Sequence, residues 1–90
     1  MPHPRYSGEE IGRRGEEIYE TSLKDTVETE QNIGKIVSID IETGDYEIDS
    51  DPIVTGRRLL AKHPGAAIFG KKIGYNAVYA IGGTLVRTAE

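Results

Sequence analysis

The sequence predicts an α+β domain of helix-hairpin-helix-hairpin order, a four-stranded, mainly antiparallel sheet packed against helices. Three observations carry this expectation. An amphipathic stretch of 3.6-residue period fills the first third of the chain, period-two alternation takes over near Lys35 and again near Ala67, and a proline-led segment between them has helix punctuation at both ends. A sheet built this way has an apolar face that needs a covering layer.

Residues 1–7 hold Pro2, Pro4 and no periodicity, so they are expected to be a flexible N-terminal arm ahead of a single domain at 8–87. Ser7 stands three residues before Glu10, the spacing of a capping box, and a helix is expected over 8–29. On a 3.6-residue wheel Ile11, Gly15, Ile18, Tyr19, Ser22, Leu23 and Thr26 share one face, while Glu9, Arg13, Glu16, Glu17, Glu20 and Lys24 lie towards the other. Gly12 and Gly15 each cost about 1 kcal/mol against alanine. Packing must therefore hold this helix, and the missing side chains let its backbone approach a neighbour closely.

From Lys35, Val37, Ile39 and Ile41 point to one face of a strand, and Tyr46 and Ile48 to the matching face of the next. The hydrophobic pattern places Ile41 opposite Tyr46 and Ile39 opposite Ile48, which implies a two-residue turn at Thr43-Gly44. Asp51-Pro52 is an N-cap followed by a first-turn proline, and the second helix, over 52–62, is expected to bury Ile53, Gly56, Leu59 and Leu60 while presenting Arg57, Arg58 and Lys62 to solvent. His63-Pro64-Gly65 stops it. Two further strands are expected near 67–73 and 77–81, closed by Gly82-Gly83, with 84–87 available as a short edge strand.

Composition narrows the chemistry. Ninety residues make one modest core, with roughly 60% of the unfolded surface buried, so association with another chain is a natural source of stability. The absence of cysteine excludes disulfides, thiolate metal sites and thiol nucleophiles, and suits a cytoplasmic location. No window approaches the length of an apolar membrane span, and the start of the chain lacks a secretory pattern. The formal charge is −4, unevenly spread: Asp40, Glu42, Asp45, Glu47, Asp49 and Asp51 form an acidic block, and Arg57, Arg58, Lys62, Lys71, Lys72 and Arg87 a basic one. The two blocks either neutralise each other across the sheet or steer a partner.

No catalytic constellation emerges. Gly65 to Lys72 matches a phosphate loop except for the final hydroxyl residue, and it reads as a strand rather than a strand-to-helix turn. His3 lies in the arm and His63 at a helix end, so neither makes a site, and no cofactor or metal is expected. Two binding surfaces are candidates. The apolar face of the first helix, with Ile11, Ile18, Tyr19 and Leu23, suits docking on another protein. Arg57, Arg58, Lys71, Lys72 and Tyr75 offer cations and a stacking ring to a nucleic acid, the less favoured alternative given the acidic total.

The run IGKIVSIDIETGDYEIDSDP, with the later LAKHPGAAIF and KIGYNAVYAIGG, resembles a group of small, uncharacterised bacterial proteins in which a G-K-x-V-x-I-D hairpin leads to a helix and an R-I-G strand. The matching residues are Gly34, Lys35, Val37, Ile39 and Asp40, then Lys72, Ile73 and Gly74, with lysine in place of the usual arginine. The resemblance covers residues 30–83 and implies an antitoxin-like partner of a small toxin protein. The expectation is thus a non-enzymatic protein-binding module, with a structural homo-oligomer as the alternative. A homodimer is expected through the first helix or the edge at 77–81.

Overall fold

Helix formation starts where Ser7 supplies its hydroxyl. In the computed structural model of the chain, which describes residues 4–75 and the strand backbones at 77–79 and 85–87, Ser7 Oγ accepts from the Glu10 N–H at 3.1 Å and opens α1 (Gly8–Ile18). The reciprocal half of the capping box is replaced by a bond one turn on, in which Arg14 Nε donates to the Glu10 carboxylate at 3.1 Å. The chain then passes through a π-helical turn, Tyr19–Leu23, into α2 (Lys24–Val27).

That turn corrects the expected wheel. Gly15, Tyr19, Leu23 and Val27 recur every four residues, and all are buried. In an α-helix a four-residue step overshoots one turn by about 40°, so three steps would carry this stripe roughly 120° around the axis. The wider i→i+5 turn absorbs the drift. Val27 is therefore held in the core, whereas Ser22 and Thr26, expected on the buried face, are exposed.

β1 (Ile36–Asp40) and β2 (Tyr46–Asp49) form the expected hairpin on the expected faces, but Ile39 lies opposite Tyr46 and Val37 opposite Ile48. The register is shifted by two residues, which preserves every side-chain direction. The two-residue turn gives way to a five-residue connection, Ile41-Glu42-Thr43-Gly44-Asp45, with Gly44 at φ 81°. Asp40 organises it. Its buried carboxylate accepts from the Glu42 N–H and the Thr43 hydroxyl, both at 3.0 Å, and the Gly44 N–H bonds back to the Asp40 carbonyl at 2.7 Å. These bonds satisfy a buried charge that a tighter turn would leave unpaired.

α3 (Pro52–Lys62) opens as the sequence demands, with Asp51 Oδ1 accepting from the Ile53 N–H at 2.9 Å. β3 (Ile68–Lys72), β4 (Ala77–Tyr79) and β5 (Leu85–Arg87) complete an antiparallel sheet of order β2-β1-β3-β4-β5. Among the described residues the sheet has five strands, the fifth falling where a short edge strand was available at 84–87. The expected Gly82-Gly83 turn, Ile81 and His3 lie outside the described residues.

The chain is a small α+β domain whose helices pack on opposite faces of this sheet. Val37, Ile39, Ile41, Phe69 and Ile73 meet Tyr19, Leu23 and Val27 on one side. Gly15 makes this approach possible, since a Cβ there would lie 2.1 Å from Phe69 Cγ. Alternation turns Ser38 to the other face, where its hydroxyl bonds Thr55 of α3 at 2.7 Å. The arm is anchored from Arg5 onwards: Arg5 pairs with Glu42 at 2.5 Å, and Tyr6 packs against the core.

Candidate functional site

Ion pairs line one flank of α3. The odd-numbered acids of the hairpin, Asp45, Glu47 and Asp49, alternate away from Tyr46 and Ile48 and so meet the α3 side. Lys62 Nζ reaches Glu47 at 2.5 Å and Asp45 at 3.1 Å, His63 Nε2 meets the same Asp45 oxygen at 2.9 Å, and Arg58 lies 3.8 Å from Asp49. The hydrogen bonds from His63 and then Lys62 hold the Asp45 carboxyl below the usual carboxylate range. Bonds to Glu47 and Asp45 raise the Lys62 ammonium in turn. Much of the acidic block thus meets the basic block within the chain. Asp51 caps α3, and Asp49 accepts from the Asp51 N–H at 3.0 Å. Among the described residues no three ligands converge on a metal position.

Thr55 and Leu59 are the fully buried residues of α3, both 0% exposed. Turning the helix to bury Ile53 and Leu60 would break the Ser38–Thr55 bond and the flanking ion pairs. Ile53 is instead 64% exposed and Leu60 44%, reversing the expectation that both are core. Gly56, expected to be buried, is half-buried with open space at its Cβ position. Arg57, about one turn from each of Ile53 and Leu60 along the helix, is exposed as well.

The opposite face holds the chain's buried titratable cluster. Tyr19, 0% exposed, donates to Glu28 Oε2 at 2.6 Å and accepts from the Gly74 N–H; burial, then the Glu28 bond, raise its phenol well above the ordinary tyrosine value. Lys71 Nζ sits 5.1 Å from the Tyr19 ring centre and 3.3 Å from Glu16 Oε2, with its own side chain 6% exposed. A cation over a ring with a carboxylate beside it is a satisfied buried charge. This cluster ties the π-helical turn to β3 and to the turn at Gly74.

The structure divides both expected residue sets between core and surface. Of the four first-helix residues, Tyr19 and Leu23 are committed to this chain's own core, and Ile11 and Ile18 are half-buried against it. The nucleic-acid set is divided: Lys71 is buried under the first helix, whereas Arg57 and Arg58 stand on α3 across the sheet. Lys72 Nζ lies 4.8 Å above the exposed Tyr75 ring. The exposed face of α3 escaped sequence reasoning because its apolar residues counted as core. The detectable signal was Thr55, which could pair with a strand hydroxyl at Ser38.

Among the described residues no helix is long and apolar enough to cross a membrane. Comparison with known proteins adds no relative: no family model, curated protein or solved structure matches the chain.

Proposed function

We propose that this chain is a non-enzymatic protein-binding module whose contact surface is the outer face of α3. One observation carries this reading: two large apolar side chains, Ile53 and Leu60, stand exposed two turns apart on a helix whose inner face is already held by the sheet. Exposed apolar residues repeated at helical spacing on a rigid element serve helix-in-groove or helix-on-helix recognition. The resemblance supplies a specific partner class, a small toxin protein, and growth rescue on co-expression with it tests that class directly.

A photo-cross-linking residue at position 60, compared with one at position 17 on the outer face of the first helix, tests the surface in the native cell. A discrete protein adduct from position 60 and none from position 17 is expected. Adducts from neither position, or equally from both, contradict the assignment.

A further inference from the structure

Arg57 stands at the centre of the outer face of α3. Ile53 lies four residues before it, Leu60 three after and Ala61 four after, the spacings at which helical side chains are surface neighbours. Ile53, Leu60 and Ala61 are all exposed. Among the described residues Arg57 is in no ion pair, whereas Arg58 and Lys62 on the same helix are engaged by Asp49, Asp45 and Glu47. α3 itself, PIVTGRRLLAK, contains no acidic residue. The face is therefore an uncompensated cation ringed by apolar side chains.

Resting on the reading of this face as a protein-binding surface, the geometry points to an acidic amphipathic helix of another protein as its occupant: apolar residues at i and i+7 over Ile53 and Leu60, and a carboxylate on Arg57. Charge selects this occupant. A second copy docking α3 on α3 about a twofold axis brings Arg57 towards its equivalent, two like charges in an apolar surround. The first helix of a second copy has the carboxylates Glu9, Glu17 and Glu20 but fails on the apolar half, because its exposed positions, Arg13, Thr21 and Lys24 among them, include no large apolar residue. A partner with both halves has the aromatic- or arginine-centred contact, sheltered by apolar neighbours, in which truncation costs most binding energy.

The test uses two helix-stabilised synthetic peptides of about 14 residues with the same leucine stripe, flanked either by glutamate or by lysine. Each is titrated into the isotope-labelled full chain and followed by amide shifts. The glutamate peptide is expected to bind about tenfold or more tightly than the lysine peptide, with shifts centred on Ile53, Gly56, Arg57 and Leu60, and Arg57→Glu should invert the preference. Equal binding, preference for the lysine peptide, shifts centred elsewhere, or a stronger response to a single-stranded oligonucleotide or anionic vesicles overturns the inference. A native adduct at position 60 that maps to a segment without acidic residues overturns the occupant and leaves the protein-binding reading standing; absence of any adduct there overturns that reading itself.

Discussion

Gly15 lies so close to Phe69 that a Cβ added to the glycine would stand 2.1 Å from the ring's Cγ and 2.4 Å from its Cβ. The helix backbone and the β3 side chain are in direct contact, and the first helix is seated on its own sheet by that contact. Gly15→Ala is expected to destabilise the fold by roughly 1–3 kcal/mol through overpacking, despite alanine's better helix propensity. Gly12 has nothing within 4 Å of its Cβ position, so Gly12→Ala should instead stabilise by up to about 1 kcal/mol. Urea denaturation of the two variants checks both signs.

The Ser38–Thr55 hydroxyl pair is buried between β1 and α3 at 2.7 Å. Thr55→Val leaves Ser38 without that partner and should cost about 1–3 kcal/mol. Removing both hydroxyls, with Ser38→Ala and Thr55→Val together, should recover much of the loss. A double-mutant cycle by thermal or urea unfolding reads the coupling.

Two pH limits follow from opposite shifts. Tyr19 is raised in the fold, so its contribution is complete below the unfolded value of about 10 and is lost as pH rises towards the folded one. Asp45 is lowered, so its contribution is present above the ordinary carboxylate value of about 4 and is lost as pH falls through the folded value. Stability measured against pH should therefore fall less steeply above pH 10 in Tyr19→Phe than in the parent, and less steeply below pH 4 in Asp45→Asn.

Local chemistry was legible in the sequence wherever one residue decides the outcome: Ser7 and Asp51 cap their helices, and Val37, Ile39, Tyr46 and Ile48 keep their faces. Decisions shared between distant residues were not. The hairpin connection is organised by Asp40 meeting the Glu42 N–H and the Thr43 hydroxyl, and the buried face of α3 goes with Thr55 meeting Ser38 across space. A wheel built from hydrophobicity ranks Ile53 above Thr55; Ser38 reverses that order. The π-helical turn was visible only as a four-residue spacing from Gly15 to Val27, which a fixed 3.6-residue period discards. The first-helix stripe named as one homodimer contact covers β1 and β3 of its own chain, and β4, named as an edge contact, lies between β3 and β5. Ile18→Glu should lower stability by loosening that layer, and sedimentation at increasing concentration separates such a loss from dissociation of a dimer.

Ile53 and Leu60 stand exposed on α3, and melting temperature with partner capture for the Ile53→Glu, Leu60→Glu double variant against the parent reads what that exposure is for. Exposed substitutions away from buried contacts change stability by about 0.5 kcal/mol or less each, so the variant should melt close to the parent while its protein partner is lost. A variant that unfolds, or one that stays folded and retains the same partner, contradicts the account.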